Sequence, residues 1–311
     1  MAQTVSLSNS GGGTLTWSAM AGAAWINLSP SSGTAPATLS ISVEPRNMAP
    51  GTYTSTVHIT ATGATASPVS VTITLVVSGS LPVGVITGVA NAASYQPSFA
   101  SGTWVAIFGK SLSEITRLWQ SSDFGNGQLP TSLSNVSVTI DGKPAYIEYI
   151  GPSQINVLAP DDATVGPVEV QVTTAGQVSN SVTAQKQQFA PAFFTVSAVT
   201  YVAAVHLDGT LVSKSNPAKP GEVIEVYGTG FGPTNPPLES GALVTKPEPL
   251  ANAVTVTIGG QTAAVGFQGV VESGLVQLNV AVPKLPAGDA AIVAQVGGVQ
   301  TQPGVLITVG Q

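Results

Sequence analysis

The chain has 311 residues, 43% of them hydrophobic and only 8% charged, with 15 acidic and 9 basic side chains and a net charge of −6. That length suits two or three domains with substantial cores, and so few ions leave Ser, Thr, Asn, Gln and Gly to form the polar surface. The acidic balance and the lack of any basic run exclude nucleic acid and anionic membranes as partners, while the absence of cysteine excludes disulfides and thiolate metal sites.

The N-terminus, MAQTVSLS, lacks the basic and apolar regions of a signal peptide. With a composition this poor in charge, we expect an exported protein whose leader has been removed, Met1 being an expression start. No apolar run approaches the ~20 residues of a membrane span, so membrane insertion is not expected. Period-two alternation then dominates the chain. ATLSISV (37–43), STVHITATG (55–63), VSVTITLVV (69–77), VSVTI (136–140), VEVQVTT (168–174) and VTVTI (254–258) set apolar side chains on one face and mostly Ser or Thr on the other. The 34 Gly and 23 Pro interrupt these runs at the short spacing of β-sandwiches. Trp17 shares a face with Leu15 in LTWSA and is expected in a core. SGSLP (78–82) follows the strongest strand, carries no alternation of its own, and reads as a linker.

Beyond the linker the sequence repeats. GTWVAIFGKSL (102–112) aligns with GEVIEVYGTGF (221–231) at an offset of 119, and VSVTIDGKPA (136–145) with VTVTIGGQTA (254–263) at 118. QINVLAP (154–160) aligns with QLNVAVP (277–283) at 123, and GPVEVQV (166–172) with GDAAIVAQV (288–296). Four blocks in one order mark two homologous domains after a distinct first one. The expected architecture is all-β, three consecutive immunoglobulin-like β-sandwich domains over 1–79, 83–186 and 187–311, the second and third an internal repeat. In the repeated phrase Gln154, Asn156 and Leu158 point one way and Ile155 and Val157 the other; Gln277 and Asn279 repeat the pattern. A carboxamide both donates and accepts, so these four amides are expected to clamp the backbone of a crossing loop. The other reading is a polar ligand groove, one per domain.

NAASYQPSFASGTWVAIFGKSL, PAKPGEVIEVYGTGFGP, VTIGGQTAAV and QLNVAVP followed by PAG resemble the C-terminal region shared by large secreted proteins of Solibacter-type acidobacteria. That resemblance covers roughly residues 84–311 and implies two immunoglobulin-like domains of the IPT/TIG type, with no chemistry assigned. The stretch from WSAMAGAAWINLSPSSG to PGTYTSTVHITATG resembles a BACON domain, the Bacteroidetes-associated carbohydrate-binding often N-terminal module. Its name implies carbohydrate binding.

Candidates for catalysis are few. The two histidines, His58 in an alternating strand and His206 before a turn, fall in different domains, and no G-x-S-x-G elbow accompanies the serines. Glu222 and Glu225 stand an odd number apart in a strand and face opposite ways. Gly228, Gly230 and Gly232 are followed by Pro233, Pro236 and Pro237 rather than a helix, so they read as a strand-end turn and not a phosphate loop. Asp161-Asp162 could bind Ca²⁺ together with loop carbonyls, but lacks the rest of a calcium loop and reads more simply as a solvated turn. The insertion KSLSEITRLWQSSDFGNGQLPTSL (110–133) holds Trp119 and Phe124 among small polar residues. Exposed there, the two rings would be sugar-stacking or protein-contact residues; otherwise ITRLW forms a helical turn that plugs one end of the sandwich and buries Trp119. The second copy replaces this insertion with PTNPPLESGALVTKPEP, which has no aromatic.

The expected function is that of a secreted, non-enzymatic adhesion or scaffold protein, extracellular or at the cell surface, with carbohydrate binding as its specific form. Two alternatives stand beside it: an accessory module of a polysaccharide-degrading enzyme, and a self-assembling filament or surface-layer subunit. No cofactor is expected; the partners are polysaccharide, other surface proteins, or further copies of the chain.

Overall fold

The computed structural model describes residues 2–45, 48–77, 83–196 and 200–311. The linker expected at 78–82 lies outside the described residues. The fold is all-β, and the alternating segments become strands: Ala37–Val43, Gly51–Ala61, Val69–Val77, Val136–Ile140, Gly166–Thr174 and Thr255–Ile258. In Val136–Ile140 every second side chain is buried, as alternation requires of a sheet with one face on a core.

Two compact units make up the chain, Met1–Leu81 and Pro82–Gln311. The first is a small sandwich. One sheet runs in the order Ala2–Leu7, Ala37–Val43, Ile26–Ser29; the other runs Ser32–Thr34, Thr16–Ala21, Gly51–Ala61, Val69–Val77. Trp17, Ile26, Leu39, Ile41, Val57 and Ile59 close its core, so Trp17 sits where its face predicted.

The second unit holds two sandwiches with separate cores, one centred on Val105, Ile107, Ile147, Ile155 and Val157, the other on Ile224, Val226, Leu278, Val280 and Ile292. One sheet of the first is ordered Arg117–Leu118, Tyr146–Ile150, Gln154–Leu158, Trp104–Lys110, Val85–Asn91. Its counterpart in the second is ordered Glu248–Pro249, Val265–Glu272, Leu275–Ala281, Val223–Thr229, Ala192–Phe193. The two orders correspond strand for strand, with QINVL and QLNV in the same central place.

The insertion is one of several links between these sandwiches, beside the bonds from Asn91, Trp104 and Tyr146 to Ala190, Thr229 and Ser240. ITRLW is not a helical turn: Arg117–Leu118 adds to the sheet edge against Tyr149–Ile150, and the Trp119 amide continues the pairing by donating to the Glu148 carbonyl at 2.8 Å. A sheet edge offers unpaired backbone groups that a helical turn would leave unsatisfied. Arg117 then forks onto Asp123 at 2.9 and 2.8 Å, and Asp123 accepts from the Gln120 amide at 2.7 Å, which closes the loop on itself. Its far end crosses to the other sandwich, where the amides of Leu129 and Leu243 donate to the carbonyls of Gly241 and Gly127, each at 2.8 Å.

Candidate functional site

The repeated amides lie on the outer face of the paired sheets, away from the cores. Gln154 Nε2 donates to Asn156 Oδ1 at 2.8 Å, and Gln277 Nε2 donates to Asn279 Oδ1 at 2.8 Å. Asn156 Nδ2 reaches Glu148 Oε2 at 3.3 Å. Among the described residues these side chains bond to one another and to Glu148 and not to a crossing loop, so the expected backbone clamp is not what they make. The reason is spacing: residues i and i+2 of a strand stand side by side on one face, close enough for two carboxamides to satisfy each other.

Clamps of the expected kind do exist, at other residues. Asn180 Oδ1 accepts from the Ile86 amide at 2.8 Å and its Nδ2 donates to the Ile86 carbonyl at 3.1 Å. Gln302 does the same for Phe193, at 3.0 and 2.7 Å. Ser179 and Thr301, one residue earlier, accept from the amides of Val172 and Ala294. One structural device is thus used twice. Its signal, SNS at 179–181 against TQP at 301–303, has too little sequence similarity to stand out.

Around each amide pair the face carries aromatic rings. In the first sandwich Phe108 lies opposite Gln154, Tyr149 opposite Asn156, and Tyr95 approaches Phe108 with ring centroids 6.3 Å apart. In the second, Tyr227 and Gly269 flank Gln277, while Glu225 and Phe267 flank Asn279. A Cβ at Gly269 would fall 2.6 Å from the Phe267 ring, so glycine is what lets that ring fold over the sheet beside Gln277. The Tyr227 hydroxyl donates to Glu225 at 3.0 Å, and its pKa is pushed up to about 12 by burial and by that carboxylate. Burial also raises the pKa of Glu148, against the lowering effect of its bond from Asn156. Each face therefore offers neutral donors and acceptors framed by rings, with carboxylates beside them: Glu148 on the first, Glu225 and Glu272 on the second.

Trp119 and Phe124 are half-buried. Trp119 stands edge-on to Trp104 at 5.6 Å and to Phe124 at 5.3 Å, in a cluster that also takes in Phe194 and Leu243 of the other sandwich. This packing gives the two rings a bracing task between sandwiches.

Asp161 and Asp162 border a cleft of about 620 Å³ between the sandwiches of the second unit. The Asp162 side chain is only 8% exposed, whereas Asp161 and residues 163–165 are exposed, so the turn is solvated except at this one carboxyl. It does not suit calcium. Lys186, buried at 2% exposure, donates to the carbonyls of Asp162 and Thr164, and Lys143 donates to the Asp161 carbonyl at 3.1 Å and lies 3.5 Å from Asp162 Oδ1. The carbonyls of Asp161, Asp162 and Thr164 and one Asp162 carboxylate oxygen already face two ammonium groups. Among the described residues no group of three or more acidic or histidine side chains could hold a metal. The Asp162 carboxyl is held at about 2, chiefly by the backbone amide of Thr164.

The glycine-rich turn borders the same cleft. Gly230 has φ +78°, and a Cβ there would fall 2.1 Å from the Ala190 carbonyl oxygen, so the strand-end reading holds. His58 is exposed, between Thr56 at 3.1 Å and Ser70 at 3.0 Å. His206 is 8% exposed, bonded through Nδ1 to Glu222 at 2.5 Å and through Nε2 to the Asn216 carbonyl at 3.2 Å. The Glu222 bond raises the His206 pKa. Burial opposes ionisation of Glu222, yet His206 and the Lys219 amide outweigh it and hold the carboxyl low. Sequence reasoning missed this pair, whose members stand 16 residues apart.

Family comparisons bear on the N-terminal unit and the first sandwich. Residues 1–74 match the viral BACON domain family, and residues 91–190 match the IPT/TIG domain family. The protein carries a BACON domain followed by an IPT/TIG domain. The BACON match falls within the seven-stranded first unit, and the IPT/TIG match takes in the Gln154–Leu158 strand with its amide pair. No curated protein sequence matches the chain. Among solved structures, the chain aligns with a mixed-linkage glucan utilization locus protein of Bacteroides ovatus, SGBP-B in complex with a mixed-linkage heptasaccharide, at 13% identity and a TM-score of 0.32, covering 99% of this chain and 63% of that one. It aligns with the plexin A4 extracellular region at 11% identity and a TM-score of 0.25, covering 100% and 32%. A surface glycan-binding protein of Prevotella bryantii aligns at 13% identity and a TM-score of 0.20, covering 71% and 40%. The chain thus spans less than two thirds of the length of each of these proteins.

Proposed function

We propose that this is a secreted, non-enzymatic adhesion or scaffold protein of the cell surface, and that its two C-terminal sandwiches, 83–186 and 187–311, are copies of one module that binds neutral polysaccharide. One observation carries the reading: an amide pair framed by aromatic rings recurs at corresponding places on both outer sheet faces. Sugar hydroxyls donate and accept in equal measure, as a carboxamide does, and the apolar side of a sugar ring packs on an aromatic face. Glu148 and Glu225 beside the amide pairs, with a net charge of −6, favour neutral over uronate-bearing polymers.

Catalysis finds no support in the same residues. The buried His206 has both ring nitrogens engaged, and His58 is bonded to the hydroxyls of Thr56 and Ser70. Such open faces give modest affinity, so a long polymer that meets both faces should bind more tightly than a short oligosaccharide. The test is affinity electrophoresis in gels cast with neutral glucans or xylans, run beside a uronate polymer. Retardation by a neutral polymer, weakened several-fold by Gln277→Ala with Phe267→Ala and equally by Gln154→Ala with Phe108→Ala, is the expected result. Migration unchanged by every polymer would overturn it.

A further inference from the structure

The strand Val69–Val77 is an unguarded sheet edge. It pairs on one side with Gly51–Ala61, through a register running from Ile59 opposite Val69 to Gly51 opposite Val77. On its other side no strand pairs with it among the described residues. Nine residues, VSVTITLVV, stand there without one charge, proline or bulge. Exposed edges of this length are normally broken by such devices, because their free N–H and C=O groups template another strand. The opposite edge of the same sheet shows the usual solution, for Ser32–Thr34 is only three residues long. The exposed side chains add to the difference: Val69 is 51% and Val76 66% exposed, two β-branched apolar groups at the ends of the strand.

We propose that this edge pairs with the same edge of a second copy of the chain. The strand itself names the occupant, because it is complementary to itself when turned about a twofold axis through Ile73. That operation sets Val71 opposite the partner's Leu75 and Val69 opposite the partner's Val77, all on the core-facing side. On the solvent side it sets Thr72 opposite the partner's Thr74 and Ser70 opposite the partner's Val76. On the core-facing side apolar groups meet apolar groups, on the solvent side threonine meets threonine and serine meets valine, and no charge is left facing another. The pairing joins two four-stranded sheets into one of eight strands. Because the same patch serves both copies, the contact closes on itself and yields a dimer, not a filament. A ladder of nine residues, about 30 Å long, is a small interface, so the dimer should be weak and dependent on concentration. Two copies in one assembly would present four amide faces, though the edge contact itself does not depend on what those faces bind.

Sedimentation of the full chain across a hundredfold concentration range tests this. The wild type should pass from monomer to a species of twice the mass. Thr72→Lys with Thr74→Lys places like charges directly opposite and should leave monomer throughout; both side chains are exposed, so circular dichroism and melting should stay as in the wild type. Thr72→Lys with Thr74→Glu places Lys opposite Glu in both halves of the seam and should bring the dimer back. A wild type that stays monomeric overturns the proposal. So does a dimer that survives the double lysine change, which would lie on another surface. Failure of the Lys–Glu variant to restore association overturns the twofold register.

Discussion

Replacing Trp119 by alanine separates a bracing role from a binding one. Complete truncation of a core tryptophan costs about 3–5 kcal/mol. Trp119 is half-buried, so its apolar area accounts for roughly half of that. It also gives up two edge-to-face contacts, with Trp104 at 5.6 Å and Phe124 at 5.3 Å, each worth about 0.5–1.5 kcal/mol. Part of that overlaps the area already counted, which leaves about 2–4 kcal/mol. For a unit the size of Pro82–Gln311, each kcal/mol moves the midpoint by about 2–4 °C, so the calorimetric transition of that unit should fall by roughly 4–16 °C. The transition of the N-terminal unit should not move, since its core is built from other residues. An unchanged midpoint together with lost retardation in polysaccharide gels would refute the brace and return Trp119 and Phe124 to the role of ligand platform.

Asn180→Ala and Gln302→Ala each strip two bonds from a strand backbone, at Ile86 and at Phe193; each should cost about 1–3 kcal/mol in urea unfolding, and a loss below a few tenths would show that water replaces the clamp. Asn279→Ala should cost less than about 1 kcal/mol, because its Gln277 partner is half-exposed and can turn to water; a cost as large as that of Gln302→Ala would mean the amide pair is structural after all. The His206 pKa is raised in the folded state, so its contribution is fully present below the unfolded value near 6.5 and is lost as pH rises through the folded value. Melting of the wild type should therefore fall from pH 6 toward pH 8 relative to His206→Gln, and parallel curves would count against a charged His206–Glu222 pair.

The sheets were legible because alternation is local: a strand such as Val136–Ile140 states its own buried face in five residues. The repeat was legible for a related reason, since QINVL and QLNV keep side-chain order through a two-residue period. What each face meets is not local, and there the reading divided. The two-residue period sets Gln154 and Asn156 on one face, but only the fold shows that they partner each other. ITRLW contains apolar residues at a spacing that fits a helical turn or an edge strand, and the choice was made by Tyr149–Ile150, an edge thirty residues downstream that needed a partner. Lys186 shows the limit most clearly. It ends an alternating strand like many surface lysines, but Asp162 and Thr164 fold over it and point carbonyls at its ammonium group. A buried cation is tolerable only where such acceptors converge, and their convergence belongs to the seam between two sandwiches. The same seam recruits Trp119, Gly230 and Asp162, which the sequence alone reads as a stacking candidate, a strand-end turn and a solvated turn. Their shared location argues that the unusual residues of this chain mostly build the joint between the two sandwiches.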